Sequence, residues 1–374
     1  MQFSITRESL LEALQKVAGV IERRSTLPIL ANVLIRLKEG RLTLIGTDLE
    51  IELITHTEVA GQTGETTVSA RKLLDICRSL PAETQLMCTL KDGKLEVKAG
   101  SCRFALATLP CDTFPEFTLH GSEIATQVSD KALRKLLDHT MYAMAQQDVR
   151  YYLNGLLLEL DGSFIRAVAS DGHRLAWCEQ PLNVPVDGTH QPILPRKGVQ
   201  ELLRLLEGGE SSHRLRLTAS NIRLELYPEQ SEGSFPLAIF SAKLIDARYP
   251  DYRRVFPPRT DRVLTLKRLA LKEAISRVSI LSNEQYRGIR LDVSPGNLRL
   301  STHNPDQEEA EEELAIAYAG EPFTVGFNAA YLADAVSHLD SENVRLSFAD
   351  PTLSCLAEDP EDPSIRHIVM PMRL

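Results

Sequence analysis

The chain has 374 residues, 43% of them apolar and 25% charged, the make-up of a folded protein long enough for about two to four domains. Its 42 Lys and Arg against 51 Asp and Glu give a formal charge of −9, which, if evenly spread, argues against a nucleic-acid partner because phosphate binding wants a basic footprint. The first residues carry no signal-peptide pattern, no apolar run nears the roughly 18 residues a bilayer requires, and six cysteines without Cys-x-x-Cys spacing read as reduced thiols, so a cytoplasmic protein without disulfide, metal or cofactor is expected.

In chain order, Leu10, Ala13, Leu14 and Val17 recur at helical spacing and predict a first helix over 7–20. An alternating segment, Thr26–Leu53, then reads as a β-hairpin ending in an Asp48 corner. A second helix spans 70–80 and stops at Pro81. The same layout returns twice. Leu133, Leu136, Leu137 and Thr140 mark a helix over 130–144, with Ser129-Asp130 at its start, followed by the hairpin Arg150–Trp177 with its corner at Asp171 and a helix over 196–207. Leu271, Ala274, Ile275 and Val278 mark a helix over 267–281, followed by the hairpin Gln285–Glu312 with its corner at Asn304 and a helix over 329–339. Proline-bearing connectors, Leu109–Pro115 and Tyr249–Pro257, separate the copies. The expected fold is α+β: three repeated domains, 1–124, 125–250 and 251–374, each with two helices packed on antiparallel sheet. Tyr227–Leu237 looks like an inserted loop, and the acidic, proline-rich stretch Asp350–Ser364 like a solvated one.

Charge is not evenly spread. The six predicted helices sum to +6, which leaves −15 on everything else against the total of −9. Lys and Arg favour helices and often sit on solvated faces, so this alone proves nothing. Three repeated helix pairs nevertheless offer a way to gather cations on one surface that binds phosphate without reading bases.

Longer motifs add a resemblance. Thr-Leu-Pro-Ile-Leu (26–30), Gly-Thr-Asp-Leu-Glu (46–50), Gln-Asp-Val-Arg-Tyr-Tyr-Leu-Asn-Gly (147–155), Ser-Asp-Gly-His-Arg-Leu (170–175), Pro-Asp-Tyr-Arg-Arg-Val (250–255), Gln-Glu-Glu-Ala-Glu-Glu (307–312) and Val-Met-Pro-Met-Arg-Leu (369–374) resemble, in order and over the whole chain, the bacterial DNA polymerase III beta subunit family of DNA sliding clamps. The resemblance implies a head-to-tail homodimer closed as a ring of six similar domains, with helices facing duplex DNA and sheet outside. Such a ring is a processivity factor that tethers the replicative polymerase. On that view the basic helices and the acidic remainder are the inside and outside of one object.

The resemblance also carries site residues. For DNA it implies Arg24, Arg71, Gln147, Tyr151 and Tyr152, with Lys197 as a further candidate: cations for phosphate, and tyrosines for stacking on an unpaired base or bonding to the backbone. The competing reading of Tyr151 and Tyr152 is strand packing, in which adjacent residues point to opposite faces. A groove for short linear peptides of the polymerase, the clamp loader and repair proteins is implied at Leu153, Ser170, Gly172, His173, Arg174, Leu175, Pro250, Arg254, Val255, Asn328, Tyr331, Ser354, Val369, Met370, Pro371, Met372 and Arg373. Apolar and flexible Met side chains make an adaptable pocket there, with Arg and His at its rim. Thr352 departs from the family, where an apolar residue is common. For the subunit contact the resemblance places the third domain, with Asp306, Glu308, Glu309, Glu311 and Glu312, against the partner's first domain, where Arg71, Lys72, Arg78 and Arg103 are available cations. Phe104, Leu106, Ile280 and Leu281 are the apolar candidates, expected to supply most of the affinity because exposed ion pairs are individually weak.

An enzyme is the rival class. Ser170, Asp171 and His173 hint at a hydrolytic set, but a triad needs convergence in space, and Asp171 matches the Asp48 corner. Neither a Gly-x-Ser-x-Gly elbow nor a phosphate-binding Gly-rich loop occurs, and the nine histidines lack metal-ligand spacing. A peptide-binding scaffold that does not encircle DNA is the other alternative.

Overall fold

The computed structural model describes residues 1–22, 26–229 and 235–373. Among these, six α-helices lie where the apolar stripes put them: α1 (Arg7–Ala18), α2 (Ala70–Ser79), α3 (Asp130–Asp138), α4 (Arg196–Leu205), α5 (Arg268–Val278) and α6 (Ala329–Ser337). Every residue of the three stripes is buried. Thr6 caps α1, accepting from the Ser9 amide at 3.3 Å, and Asn328 caps α6, accepting from Ala330 and Tyr331 at 2.9 and 3.2 Å. Helix α3 stops six residues short of its predicted end, Met144. The Thr140 hydroxyl donates to the Leu136 carbonyl at 2.6 Å, and Met141–Ala143 tightens into a 3-10 turn. With the observed bounds the six helices still sum to +6.

The three hairpins are Asn32–Lys38 with Arg41–Thr47, Gly155–Asp161 with Phe164–Ser170, and Gly288–Ser294 with Asn297–His303. Glu39 and Gly40 turn the first with φ of 51° and 74°, the left-handed geometry that keeps the twist of a two-residue hairpin loop. The corners are chemically alike. Asp48 Oδ1 accepts from the Glu50 and Ile51 amides at 2.9 and 2.7 Å. Asp171 Oδ1 accepts from His173 and Arg174 at 2.9 and 3.0 Å, and Asn304 Oδ1 from Asp306 and Glu308, both at 3.0 Å. Each corner is an Asx turn that launches a third strand: Ile51–Glu58, Arg174–Pro181 and Glu309–Ala315.

The chain forms two compact units, one made of 1–131, 182–186 and 200–244, the other of 132–181, 187–199 and 245–374. The first holds a thirteen-stranded antiparallel sheet that runs through a repeat junction, since Ala238–Lys243 pairs with Ile51–Glu58, Phe240 opposite Leu53. Helices α1 and α2 pack together in this unit. The second unit holds a nine-stranded sheet and a four-stranded one. Its larger sheet crosses the other junction through Arg174–Pro181 and Ile365–Val369, Ala176 opposite His367. Here α5 packs against α6.

In both junctions, therefore, the third strand of one repeat pairs with the last strand of the next. The two remaining strands of those kinds are Glu309–Ala315, paired only with Asn297–His303, and Cys102–Leu109, whose stretch 102–107 pairs only with Lys94–Ala99 among the described residues.

One loop expectation changes. Asp350–Ser364 is not simply solvated, because it contains the strand Cys355–Glu358 and the buried Asp359. That carboxylate accepts from the Ser341 and Glu361 amides, each at 2.9 Å, and so organises the turn after α6. Of Tyr227–Leu237, residues 230–234 lie outside the described set. Its described ends join two paired strands of the first unit, and the Arg41 guanidinium sits 3.2 Å over the exposed ring of Phe235.

Candidate functional site

The groove residues all fall in the second unit, and the Asp171 corner organises them. Gly172 has φ of +88°, and a Cβ there would lie 2.8 Å from the Arg150 guanidinium, so only glycine fits. Arg150 is itself held by Asp148 at 2.8 Å and by the Asp171 carbonyl at 3.1 Å. The Ser170 hydroxyl donates to the Arg174 carbonyl at 2.8 Å and accepts from the Gly172 amide at 3.1 Å, while Asp171 serves the backbone and Arg174. These are turn contacts and make no hydrolytic triad.

Beyond the corner, Leu175 is buried in a cluster with Leu153, Trp177, Tyr249 and Tyr252, and Val255 packs half-buried against it. The connector that carries Pro250, Arg254 and Val255 is pinned from below. Fully buried Glu159 accepts from the Tyr252 hydroxyl at 3.0 Å and from Arg253 at 2.7 Å. Arg254 is almost wholly exposed, with Asp251 at 3.1 Å from its Nε. Val369 pairs with Arg174 on one side and Cys355 on the other, which brings Ser354 beside it in sequence to the same end of the sheet. From there the tail crosses over: the Met370 amide donates to the His173 carbonyl at 2.9 Å and the Met372 amide to the Gly326 carbonyl at 2.8 Å. Met370 is exposed, Pro371 half-exposed and Arg373 exposed. Asn328 and Tyr331, at the start of α6, stand on the far side, and the Tyr331 ring stacks on His173 with centroids 5.8 Å apart. Thr352 is exposed, its hydroxyl donating to Asp350 at 2.6 Å. Leu153, Leu175 and Val255 thus share one apolar cluster behind the turn 170–174, and the tail carrying Met370 and Met372 runs from that turn to the strand that leads into α6.

Arg174 is not the rim cation its sequence position suggested. Its side chain is only 12% exposed and bonds both Asp171, at 3.0 Å, and Asp334. Burial pulls its pKa down, but the two carboxylates more than offset that and hold it above its usual value. In the sequence Asp334 stands out only as the one charge on the last helix. An acid on the only helix without cations was the signal available.

The DNA candidates divide between the units. Arg71 is exposed on α2 of the first, 3.7 Å from Asp75, and Arg24 lies outside the described residues. Gln147, Tyr151, Tyr152 and Lys197 belong to the second. There the Asn154 side-chain amide bonds the Asp148 backbone in both directions, at 3.0 and 2.9 Å, closing the loop 148–154, and Gln147, exposed and with φ of 55°, directly precedes it. The tyrosines lie in a 3-10 turn, Tyr151–Asn154, which corrects the strand reading. Tyr151 is 56% exposed, while Tyr152 packs against the Leu153–Leu175 cluster. Lys197 is half-buried near the start of α4.

At the unpaired edges, Phe104 is half-buried, Leu106 nearly buried and Ile280 76% exposed, with Leu281 half-buried beside it. Arg78, Lys72, Asp306, Glu308 and Glu309 are exposed. Several expected partners already have mates in their own chain: Arg103 with Glu96, Glu311 with Arg299, and Glu312 with Arg277 at 2.9 Å. The Arg277 bond holds the Glu312 carboxyl below its ordinary range.

Residues 1–118, 127–251 and 253–373 match the N-terminal, central and C-terminal domains of the DNA polymerase III beta subunit. The beta sliding clamps of Pseudomonas aeruginosa and Escherichia coli are 46% and 43% identical over the full length of both chains. The chain belongs to the DNA polymerase III beta subunit family. A crystal structure of the Pseudomonas aeruginosa sliding clamp bound to griselimycin superposes with a TM-score of 0.95 at 45% identity, covering all of both chains. A Caulobacter crescentus clamp with polyethylene glycol at a putative beta-motif tethering region gives 0.91 at 36% identity, also over both whole chains. The chain is thus a DNA sliding clamp, a non-catalytic processivity factor built from three clamp domains. No helix among the described residues is long and apolar enough to cross a membrane.

Proposed function

We propose that two copies of this clamp close head to tail in the cytoplasm. Glu309–Ala315 of one copy pairs with the open edge of Cys102–Leu109 of the other, and the three domains 1–124, 125–250 and 251–374 occur twice around a duplex. The observation that carries this reading is the repeated junction: twice within the chain a third strand pairs with the last strand of the next repeat, and these are the two such strands left over. Apolar packing of Phe104, Leu106, Ile280 and Leu281 supplies the affinity. The acids of the 306–313 run bias which edge meets which, since their strand would repel a copy of itself. Arg24, Arg71, Gln147, Tyr151, Tyr152 and Lys197 meet DNA through its backbone, without sequence preference.

The trough around Leu175, Val255 and Met370–Met372 takes short peptides from the DNA polymerase III catalytic subunit, the clamp loader and repair proteins. Sedimentation equilibrium tests the ring, with twice the chain mass expected. Retention on circular but not linearised DNA tests the encirclement. A monomer at working concentration, or equal retention on both DNAs, refutes the proposal.

A further inference from the structure

Between the turn 170–174 and α6 lies a file of planar groups contributed by two repeats. His173 stacks on Tyr331 at 5.8 Å and 20°, and Tyr331 lies 4.7 Å from the Arg174 guanidinium. Arg174 in turn sits 5.1 Å from the Tyr142 ring, which stacks on His338 at 4.0 Å and 14°. His173, Arg174 and Tyr142 come from the central repeat, and Tyr331 and His338 from α6 and the residue just after it. Tyr331, Asp334 and His338 fall at i, i+3 and i+7, so one face of that helix supplies every group on its side.

Stacking alone leaves such a file free to slide, and the hydrogen bonds are what fix it. Arg174 donates from Nε to Asp171 at 3.0 Å, from Nη2 to the Tyr142 carbonyl at 3.2 Å and from Nη1 to Asp334. The last crosses the two repeats, as Lys135 to Asp362 also does, and a guanidinium held in a fork is more rigid than a lysine ammonium. Strand pairing, with Arg174 opposite Val369, joins the two repeats here, and the Asp334 bond fixes the side chains that lie between them. Leu175 follows Arg174 directly on one side, and Asn328 and Tyr331 begin α6 on the other.

We infer that Asp334 is a positioning residue for peptide binding: by holding Arg174 in the interleaved stack it keeps the two walls of the groove at a fixed spacing before a ligand arrives. The inference rests on the reading of this trough as the peptide site. It makes a kinetic prediction, because a groove competent for only a fraction of the time lowers the apparent association rate by that fraction and leaves bound-state interactions intact. Removing a group that touches the ligand would instead speed dissociation, as most interface changes do.

The test uses the whole clamp, immobilised, with the DNA polymerase III catalytic subunit as the probe in surface plasmon resonance. Asp334→Asn is expected to slow association about tenfold, with dissociation unchanged. Asp334→Glu, which keeps the charge, should recover most of the loss. Val255→Arg, which fills the trough, should abolish binding. Unchanged thermal midpoints and sedimentation exclude general damage. If Val255→Arg abolishes binding but Asp334→Asn binds like wild type, or dissociates faster with normal association, the positioning role is wrong and the groove stands. Unaltered binding by Val255→Arg overturns the groove reading and this inference with it.

Discussion

The seam between the first two repeats contains a carboxyl group whose titration can be followed. Glu52, on Ile51–Glu58 opposite Ser241, is 2% exposed, and burial raises its pKa from 4.5 to about 7. The Phe117 amide, donating at 2.9 Å, and Arg223, 4.0 Å away, only partly offset that desolvation. Between those two pH values the folded state holds a proton that the unfolded chain has released, so stability falls as pH rises through the window. At 1.36 kcal/mol per unit, the full shift from 4.5 to about 7 corresponds to about 3 kcal/mol lost above neutrality. Glu52→Gln keeps the acceptor for Phe117 and removes the charge. Urea unfolding followed by far-ultraviolet circular dichroism, from about pH 4 to 8, should show the variant equal to wild type near about pH 4 and more stable by roughly 3 kcal/mol at about pH 8. Tryptophan fluorescence is the wrong probe, because the single tryptophan, Trp177, lies in the other unit. Equal pH profiles for the two proteins, or a gain that grows toward acid, would refute the assignment of a buried, proton-holding Glu52.

Other outcomes follow from the same geometry. Ile280→Asp, at the most exposed apolar residue of the proposed subunit edge, should shift the clamp toward monomer by sedimentation velocity without lowering its thermal midpoint; a persistent dimer would place the interface elsewhere. Charge reversal at Arg24 together with Arg71 should flatten the salt dependence of DNA binding by about 0.9 in log–log slope for each phosphate no longer neutralised, and an unchanged slope would remove those residues from the DNA face. Removal of Met370–Leu374 deletes the crossing that bonds His173 and Gly326, so binding of the polymerase peptide should be abolished while the dimer persists. Retained affinity would move the groove off the tail.

What the sequence revealed depended on how local each signal was. The stripes of α1, α3 and α5 bury as spaced, and the three corners behave alike, because apolar periodicity and an Asx turn are set within a few residues. Tyr151 and Tyr152 misled because they directly precede the strand Gly155–Asp161 and a 3-10 turn leaves no periodicity to read. Asp359 looked like one more acid in a soluble loop, and only the backbone amides folded around it make it internal. Arg174 and Asp334 are 160 residues apart, so neither the charge count nor the motif could show that one neutralises the other. Counting charges by helix was sound for the total and uninformative about which cations are free.

The Asx corner also bears on why a triplicated frame has one groove. In the central repeat the residue three beyond the corner is Arg174, whose side chain turns toward α6 and Asp334. The residue whose amide makes the same bond to Asp48 is Ile51, whose side chain is sunk in the sheet, and to Asn304 it is Glu308, exposed and accepting back from the Asn304 side chain at 2.6 Å. The backbone frame was copied three times, but only one copy carries a side chain there that can tie its corner to a neighbouring helix. A closed pair of chains would then offer two berths rather than six. Proteins that use them would have to take turns, and the order of hand-over becomes a property of occupancy at two places.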